Sequence, residues 1–551
     1  MTEPLLSVRD LRVTFDTSEG PFEALRGVSL DVAQDETVAI VGESGSGKST
    51  IAASIHRLLA DNGRISGGSI RFEGRELTTL SERELIPLRG AGIGLVPQDP
   101  MSNLNPMHTV GAQILEALEV HGRVGGTGNG ASGRRRTVEL LELVGIPEPE
   151  LRYDQYPHEL SGGMRQRVLI AAGLACEPRL LIADEPTSAL DVTVQRRILD
   201  TLGELTGRSG TAVVLITHDL ALAAERADRV LVMYRGELVE AGPARQILER
   251  PEHEYTRRLV AAAPSLATTS LIDLRPAGES IAEPRSAPEP EAFVRMDGVG
   301  RSYRMRGAAR GEEFWAARDV SFSLSRGRTV SIVGESGSGK STTAKMLLGL
   351  ETATEGTIRI GDQDLATLRG RDLLAVRRRI QPVFQNPYAS LDPRYTIAQS
   401  IAEPLRAHRI GDRRSRAARV HELLEQVALP AAVAERLPHE LSGGQRQRVA
   451  IARALAPEPE LVVLDEAVSA LDVLVQAQIL ELLVDLQRRL GLSYLFISHD
   501  LAVVNMVSHE VHVMQRGRIV ESGTPEQIFT APRQDYTREL LAAIPGTALA
   551  A

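Results

Sequence analysis

Two copies of one nine-residue pattern carry the clearest chemistry in this sequence. Gly42 to Thr50 reads Gly-Glu-Ser-Gly-Ser-Gly-Lys-Ser-Thr, and the same nine residues return from Gly334 to Thr342. Each copy matches G-x-x-x-x-G-K-[ST] and follows a short apolar run that is typical of a buried parallel strand. A glycine-rich turn with an incidental lysine is the alternative, but strand, spacing and helix signals agree in both copies. The sequence therefore predicts two phosphate-binding loops.

Each loop offers ligands for a nucleotide phosphate chain and its metal. The glycines let the backbone curl around an anion at the start of a helix, and the lysine adds a point charge for the β and γ phosphates. The serine after the lysine, Ser49 or Ser341, can ligate Mg²⁺. The residues expected to hold the nucleotide are Gly42, Ser44, Gly45, Gly47, Lys48, Ser49 and Thr50, and Gly334, Ser336, Gly337, Gly339, Lys340, Ser341 and Thr342.

Further polar residues recur in the same order in both halves. Gln98 lies in Val-Pro-Gln-Asp-Pro and Gln385 in Val-Phe-Gln-Asn-Pro. A single glutamine would indicate little, but its recurrence in both halves marks it as a candidate site residue. A Leu-Ser-Gly-Gly motif then opens a helical pattern, so its serine can cap a helix whose N-terminal amides hold an anion. A plain capped helix is the alternative for that motif alone. The motif residues are Ser161, Gly162 and Gly163, and Ser442, Gly443 and Gly444.

Paired carboxylates end one apolar strand in each half, and a histidine ends the next apolar run. Carboxylates in such a position are costly unless they meet a cation or move a proton. The residues concerned are Asp184, Glu185 and His218 in the first half, and Asp465, Glu466 and His499 in the second.

The spacing of the motifs indicates a duplicated domain. Ser442 follows Ser161 by 281 residues and later motifs keep that offset, whereas the phosphate loops are 292 residues apart. Alternating stretches before each loop suit antiparallel strands, and mostly helical sequence follows each glutamine. A Gly/Arg-rich piece near Gly122 to Arg136 is typical of a mobile surface loop. We predict two α/β domains, residues 1–265 and 292–551, joined by an extended acidic Pro/Ala/Glu-rich linker over 266–291.

Composition limits the function classes. The 551 residues carry 63 Lys and Arg against 72 Asp and Glu, and a net charge of −9 argues against a nucleic-acid binder that relies on phosphate neutralisation. No apolar run approaches the roughly 20 residues that span a bilayer, and the first residues do not resemble a signal peptide. We therefore expect a cytosolic chain whose membrane contact is indirect. The one cysteine, Cys176, is expected to be a small buried hydrophobe.

Two aromatic residues could stack on a nucleotide base. Phe15 lies 27 residues before Gly42, and Tyr303 lies 31 residues before Gly334. Core packing is the alternative for Phe15, and Tyr303 is the better candidate for contact with adenine.

Together these motifs resemble the nucleotide-binding subunits of ABC transporters over almost the entire chain. Many NTPases share the phosphate loop, but its combination with Leu-Ser-Gly-Gly, the glutamine, Asp-Glu and the histidine is specific to that class. The ends of the halves, Pro251 to Leu259 and Asp535 to Pro545, look like the His-Pro-Tyr-Thr-Arg tail of oligopeptide and dipeptide importers. The chain is thus similar to a fused pair of the two ATPases of such an importer.

The resemblance implies an ABC-type fold in each half, with a parallel core sheet, an antiparallel β subdomain and a helical subdomain. It implies ATP hydrolysis with Glu185 and Glu466 as general bases and with His218 and His499 at the γ-phosphate. The residues that would serve Mg²⁺ directly or through water are Ser49, Gln98 and Asp184, and Ser341, Gln385 and Asp465.

The resemblance also implies an assembly. The halves would face each other head to tail, with each Ser-Gly-Gly motif closing the ATP site of the other half. The expected partners are two transmembrane permease subunits and an extracytoplasmic solute-binding protein, with no nucleic acid. The chain would lie at the cytoplasmic face of the inner membrane, and peptides, nickel complexes or other small solutes would be imported.

Two other function classes remain. A soluble twin-domain ABC ATPase that acts on ribosomes or DNA would share the ATP motifs, but we expect a longer charged helical linker and basic surfaces in such a protein. A module that senses ATP without hydrolysis is disfavoured, because both Glu185 and Glu466 are present.

Overall fold

The computed structural model describes residues 3–18, 20–124, 130–187, 190–263, 270–272, 292–304, 313–386, 390–469 and 471–546. The chain divides into two compact units, Met1–Leu266 together with Pro545–Ala551, and Ala267–Ile544. None of the helices in the described ranges is both long and apolar enough to cross a membrane.

The described residues of the first unit form two sheets. Its strands are β1 (Leu6–Thr17), β2 (Gly20–Val32), β3 (Thr37–Val41), β4 (Gly63–Phe72), β5 (Arg75–Glu76), β6 (Ile93–Val96), β7 (Leu180–Asp184), β8 (Ala212–Thr217), β9 (Arg229–Tyr234) and β10 (Glu237–Pro243). An antiparallel sheet has the order β2-β1-β4-β5, and a second sheet has the order β10-β9-β3-β8-β7-β6. In the second sheet all neighbours are parallel except β10, which is antiparallel to β9.

The helices of the first unit surround these sheets. They are α1 (Lys48–Ile55), α2 (Glu82–Leu85), α3 (Pro100–Asn103), α4 (Val110–Val120), α5 (Gly130–Leu143), α6 (Pro149–Tyr153), α7 (Gly162–Leu174), α8 (Val192–Ser209), α9 (Leu220–Arg226), α10 (Ala244–Glu249) and α11 (Glu254–Ala262). Helices α4 to α7 pack against one another and form the helical part of the unit.

The strands of the parallel sheet are buried, and the polar residues of the site follow at the ends of these strands. Every residue of β7 and β8 is buried, as expected for apolar strands covered on both faces. Val13 of β1, Ile40 of β3 and Ile182 of β7 belong to one core, so the two sheets share a hydrophobic interior. The carboxyl ends of neighbouring parallel strands lie at one edge of the sheet. The polar residues that follow β3, β7 and β8 therefore meet at that edge.

The second unit repeats this architecture. Its strands are β11 (Ala292–Arg304), β12 (Glu313–Ser325), β13 (Thr329–Val333), β14 (Glu355–Ile360), β15 (Gln363–Asp364), β16 (Ile380–Val383), β17 (Leu461–Asp465), β18 (Ser493–Ser498), β19 (Glu510–Gln515) and β20 (Arg518–Gly523). Its sheets have the orders β12-β11-β14-β15 and β16-β17-β18-β13-β19-β20. Its helices within the described ranges are α12 (Lys340–Leu347), α13 (Gly370–Arg379), α14 (Ile397–Ala407), α15 (Arg413–Gln426), α16 (Gly443–Leu455), α17 (Val473–Leu490), α18 (Leu501–Val507), α19 (Pro525–Thr530) and α20 (Asp535–Ala542).

The predicted fold class is confirmed in both units, each with a mainly parallel sheet, an antiparallel sheet and helices. Of the predicted linker over 266–291, only 270–272 lie among the described residues. There the Leu271 N–H donates to the carbonyl of Met506 at 2.9 Å, and Arg488 donates to the carbonyl oxygens of Leu271 and Ile272 at 3.2 and 2.8 Å. These three residues therefore lie on the second unit.

One local prediction is wrong. Residues 130–136, predicted as part of a surface loop, form the start of α5, while 125–129 lie outside the described residues. Arg134 pairs with Asp154 at 2.6 Å and lies over the ring of Tyr153, 4.0 Å from its centroid. Leu141 on the same helix is fully buried. The ion pair of Arg134 and the apolar packing of Leu141 thus stabilise helix α5, although the composition of residues 130–136 indicated a loop.

The prediction for Cys176 is confirmed. The side chain is buried, and its Sγ atom lies 3.4 Å from the carbonyl oxygen of Ala117. Burial raises the pKa of the Cys176 thiol, which suits an inert packing residue.

Candidate active sites

The phosphate loops connect β3 to α1 and β13 to α12. At several loop positions neighbouring atoms leave no room for a Cβ atom, so only glycine fits. Gly42 has a φ of +152°, and a Cβ atom added there would lie 2.2 Å from the carbonyl oxygen of Met233. Gly47 has a φ of +105°, and an added Cβ would lie 2.7 Å from a leucine side chain. Cβ atoms added at Gly334 and Gly339 would lie 2.1 and 2.2 Å from backbone carbonyl oxygens. Both loops thus depend on glycine for their curl.

The other side of each loop is open. Gly45 and Gly337 have φ values of +80° and +77°, and nothing lies within 4 Å of a Cβ added at either position. Ser44 and Ser336 are exposed on the same turns. An open, glycine-lined turn at the start of a helix fits an anion such as a phosphate chain. After the lysines that begin α1 and α12, the first turns of these helices contain Ser49, Thr50, Ser341 and Thr342.

The loop lysines are buried and held by the loops themselves. Lys48 is 5% exposed, and its Nζ atom donates to the carbonyl oxygens of Gly42 at 2.7 Å and Glu43 at 2.9 Å. Lys340 makes the same two bonds at 2.7 and 2.8 Å. Each ammonium group is therefore fixed beside its loop, where it can act as a point charge for phosphate.

An aspartate beside each loop fits a cation. Asp184 ends β7, is nearly buried, and has an Oδ1 atom without a hydrogen-bond partner among the described residues. Burial raises the pKa of Asp184, and the hydroxyl of Ser49 offsets that rise only in part. In the second unit the hydroxyl of Ser341 donates to Oδ1 of Asp465 at 3.1 Å. A buried carboxylate with spare acceptor capacity beside a serine hydroxyl suits Mg²⁺.

Across the described ranges, no group of three His, Cys, Asp or Glu side chains could hold a metal ion. One hydroxyl and one carboxylate per site match Mg²⁺, which often keeps waters and phosphate oxygens as its other ligands.

Glu185, the residue after Asp184, contacts two other polar side chains of the first site. Glu185 has a left-handed φ of +45°, and its N–H donates to the carbonyl of Ile216 at 2.9 Å. Its Oε2 atom accepts a hydrogen bond from Nε2 of Gln98 at 3.0 Å and lies 3.4 Å from Nδ1 of His218. A carboxylate so oriented, at the edge that carries the phosphate loop, can act as a general base.

The second unit repeats this cluster. Gln385 donates to Oε2 of Glu466 at 2.7 Å, and Nδ1 of His499 lies 3.4 Å from the same oxygen. Burial alone would raise the pKa of Glu466, but His499, Lys340 and Gln385 together outweigh burial and lower it. Burial alone would lower the pKa of His499, but Glu466 raises it. Both glutamines thus bond the glutamate, and their role at Mg²⁺ stays a prediction.

The Ser-Gly-Gly serines cap helices, as the sequence indicates. The Oγ atom of Ser161 accepts the N–H of Met164 at 3.4 Å, and a Cβ added at Gly163 would lie 2.9 Å from a valine of α8. Ser442 accepts the N–H of Gln445 at 3.3 Å, and the Ser442 N–H donates back to Oε1 of Gln445 at 3.0 Å. The first turns of these helices also contain Gly162, Gly443 and Gly444. Contact of these residues with a γ-phosphate stays a prediction.

The two candidate adenine partners lie in different surroundings. Phe15 packs against the core, and a Cβ added at Gly63 would lie 2.6 Å from its ring. Tyr303 is 36% exposed, its hydroxyl donates to Glu351, and the guanidinium of Arg301 lies 4.9 Å from its ring centroid. Contact of Tyr303 with adenine stays a prediction.

Sequence reasoning missed one contact of the loops. The hydroxyl oxygen of Tyr255 accepts a hydrogen bond from the N–H of Glu43 at 3.0 Å, and Tyr536 accepts one from Glu335 at 3.0 Å. Both tyrosines belong to the Tyr-Thr-Arg tails. The recurrence of these tails in both halves is the signal that could have identified them.

Each unit therefore combines a phosphate loop, an aspartate that is buried in the first unit and partly buried in the second, and a glutamate bonded by glutamine and faced by histidine. This combination on a mainly parallel sheet defines the class as a duplicated phosphate-loop ATPase.

Comparison with known proteins specifies the family. The family described as "ABC transporter" matches residues 25–188 and 317–469, and the one described as "Oligopeptide/dipeptide transporter, C-terminal region" matches 239–289 and 520–548. The glutathione import ATP-binding protein GsiA of Salmonella choleraesuis (strain SC-B67) is 46% identical over 561 residues, which cover 98% of this chain and 89% of the relative. The protein of that name from Escherichia coli (strain K12) is 45% identical over 568 residues, with the same coverage of 98% and 89%.

A solved structure of the dimeric ATP-binding cassette MJ0796 bound to ADP and Pi is 31% identical over 42% of this chain and 98% of that chain, with a TM-score of 0.39. The family matches and the two relatives show that the chain belongs to the ABC transporter family, as an ATP-binding protein with two cassettes. The predicted family and the assignment as an ATPase are confirmed. Each half ends in a match to the oligopeptide/dipeptide transporter region.

Proposed function

We propose that this chain is the ATP-hydrolysing subunit of an ABC importer for small peptides, with cassettes over 1–265 and 292–551 and a linker over 266–291. Two observations support import: the oligopeptide/dipeptide tails in both halves and relatives named for glutathione import. Glutathione is a tripeptide, so it falls within the proposed solute class and is the first solute to test.

The observation that carries hydrolysis is the position of Glu185, with its Oε2 atom bonded to Gln98 and facing His218. In the proposed reaction the Glu185 carboxylate accepts a proton from water as the water oxygen attacks the γ-phosphorus. The bond between that phosphorus and the β–γ bridging oxygen breaks, and ADP and phosphate leave. Glu466 has the same role in the second site.

The other residues bind and neutralise the phosphates. Lys48 and Lys340 place positive charge against the β and γ phosphates, and His218 and His499 contact the γ-phosphate. Asp184 and Asp465, each with its neighbouring serine hydroxyl, would hold Mg²⁺. When bound, Mg²⁺ supplies further neutralisation of the charge that develops on the phosphate oxygens.

In the proposed assembly each ATP is shared by two cassettes. Ser442 and Gly444 close the site built on Lys48, and the equivalent residues of the first half close the site built on Lys340. ATP then favours the closed pair and hydrolysis releases it. The proposed partners are two membrane permease subunits and an extracytoplasmic solute-binding protein, which would put this chain at the cytoplasmic face of the inner membrane.

Transport in proteoliposomes tests this proposal. The chain, its permease subunits and the binding protein are reconstituted, and ATP-dependent accumulation of labelled glutathione or a labelled dipeptide is measured. We expect accumulation that stops in a Glu185→Gln, Glu466→Gln chain. ATP hydrolysis without accumulation of any peptide would contradict peptide import, and mass spectrometry of the co-purified solute would then identify the cargo.

A further inference from the structure

The tail tyrosines hold the phosphate loops through a backbone group that the proposed reaction does not use. The Glu43 N–H donates to the hydroxyl oxygen of Tyr255, and the Glu335 N–H donates to that of Tyr536, both at 3.0 Å. The two tyrosines are buried, with 3% and 8% of their surface exposed. The loops are 292 residues apart and the tails 281, so the contact is kept across different spacings.

The bonded N–H belongs to the peptide group that also binds the lysine. The carbonyl oxygen of that peptide, on Gly42, accepts a hydrogen bond from Nζ of Lys48 at 2.7 Å, while its N–H donates to Tyr255. In the second unit the Gly334 carbonyl accepts from Lys340 at 2.7 Å. Because a peptide group is planar, both of its ends turn together. The Tyr255 hydroxyl, bonded to the N–H of this peptide group, therefore also fixes its carbonyl oxygen, which accepts the hydrogen bond from the Lys48 ammonium group.

A carboxylate on the edge strand anchors each tyrosine helix. Glu240 of β10 accepts the N–H groups of Glu252 at 2.8 Å and His253 at 3.0 Å, directly before α11. Glu521 of β20 accepts the two N–H groups directly before α20, at 2.7 and 3.1 Å. Burial alone would raise the pKa of Glu240, but the hydrogen bonds that it accepts outweigh burial and lower it. The anchor is thus a charged carboxylate at neutral pH.

We infer that Tyr255 and Tyr536 are positioning residues for nucleotide binding: each sets the peptide that places the loop lysine against the phosphates. This inference rests on the proposed nucleotide sites, and it gives the Tyr-Thr-Arg tails a role in ATP affinity. If the tyrosines were only packing residues, their hydroxyl groups would affect thermal stability and leave ATP affinity unchanged.

The test measures the affinity for MgATP by isothermal calorimetry. The parent is the full chain with Glu185→Gln and Glu466→Gln, which stop hydrolysis. Adding Tyr255→Phe and Tyr536→Phe removes two hydroxyl groups and keeps both rings, including the stack of Tyr255 on Tyr234 at 4.3 Å between centroids. Without the hydroxyl, each free loop must be ordered when MgATP binds, at a cost of about one hydrogen bond of ordinary net strength, so we expect Kd to rise about 3- to 10-fold.

Tyr494→Phe is the matched control. The hydroxyl of Tyr494 is also buried, but it donates to the carbonyl of Leu483 at 2.8 Å and not to a loop. We expect an unchanged Kd for this variant. In a chain with both glutamates intact, the tyrosine pair should raise KM for ATP more than it lowers kcat, because the general bases are untouched. If the double variant does not fold, Tyr255→Phe and Tyr536→Phe are tested singly, and each should weaken one site.

The outcomes separate this inference from the proposed function. A Kd within about twofold of the parent in the tyrosine variant overturns the inference and leaves the nucleotide sites in place. An equal rise in Kd for Tyr494→Phe also overturns it, because the effect would not be specific to the loops. Failure of the parent to bind MgATP overturns the proposed sites and this inference with them.

Discussion

The Nδ1 atom of His218 lies 3.4 Å from Oε2 of Glu185, the oxygen that also accepts a hydrogen bond from Gln98. Burial alone would lower the pKa of His218, but Glu185, with a smaller contribution from Asp219, outweighs burial and raises it. Burial alone would raise the pKa of Glu185, but His218, Lys48 and Gln98 together outweigh burial and lower it. The two side chains therefore stabilise each other as an ion pair.

We expect Glu185→Gln to lower the melting temperature most at mildly acidic pH. A histidine with a raised pKa stabilises the fold below its ordinary value of 6.5 and loses that effect as pH rises through the folded-state pKa. A glutamate with a lowered pKa stabilises the fold above its ordinary value of 4.5 and loses that effect as pH falls. The difference in melting temperature between wild type and variant should therefore shrink above pH 6.5. A difference that grows as pH rises above 6.5 would contradict the ion pair.

Glu185→Gln and Glu466→Gln should each reduce steady-state ATPase activity steeply. A general base contributes about 10² to 10⁴ in rate, and both glutamates have the same glutamine and histidine partners. Activity is measured for each single variant with the membrane partners present, and Glu142→Gln, an exposed carboxylate of α5, serves as the control. If one variant stays near wild type while the other is inactive, the two sites are not equivalent.

Lys48→Ala combined with Lys340→Ala should abolish MgATP binding. These two lysines are the cations held at the loops, and the sequence contains one further lysine, Lys345. Lys345 is exposed on α12 and lies 3.9 Å from Glu351, so Lys345→Ala is a matched control that should bind normally. Undiminished affinity in the double variant, measured by calorimetry, would refute the assignment of the loops.

The two Ser-Gly-Gly helices differ at one capping position. Gln445 accepts the N–H of Ser442 through an amide oxygen, whereas Met164 offers the N–H of Ser161 only a thioether sulfur, which is a weak acceptor. We expect Met164→Gln to raise the melting temperature by about 1 to 2 °C and Gln445→Met to lower it by about as much, for a bond worth about 0.5 kcal/mol. Differential scanning calorimetry measures both shifts. Shifts of the same sign would show that the cap does not control them.

Cutting the chain near Pro288 should leave ATPase activity largely intact if the halves stay associated. The composition of 266–291 predicts a tether and not a packed element. Site-specific cleavage followed by size-exclusion chromatography and an ATPase assay tests this. Loss of activity in halves that still co-elute would indicate a structural linker.

Local patterns predicted much of each site. The glycine spacing of the loops, the serine caps and the carboxylates that end β7 and β17 all follow from neighbouring residues in sequence. The strand before each loop and the helix that begins at each Ser-Gly-Gly motif follow from the same local periodicity. Residues 130–136 were wrongly predicted as a loop, because the ion pair of Arg134 with Asp154 and the burial of Leu141 outweigh glycine content.

Long-range contacts were beyond local patterns. The bond from Gln98 to Glu185 joins residues 87 positions apart, and the bond from Glu43 to Tyr255 joins residues 212 positions apart. No spacing rule predicts such pairs, since they depend on how the strands between them fold back. The duplicated motifs show which residues recur, but the three-dimensional structure is needed to show which of them meet.

The bond between Glu43 and Tyr255 also affects the order in which the protein matures during synthesis. Because the two residues are 212 positions apart, a ribosome that adds about 5 to 20 residues per second incorporates Tyr255 roughly 10 to 40 s after the first loop. During that interval the nascent loop lacks the tyrosine hydroxyl that fixes the Gly42–Glu43 peptide group, whose carbonyl accepts the hydrogen bond of Lys48. The first cassette therefore completes its phosphate loop only after its last helix has been translated.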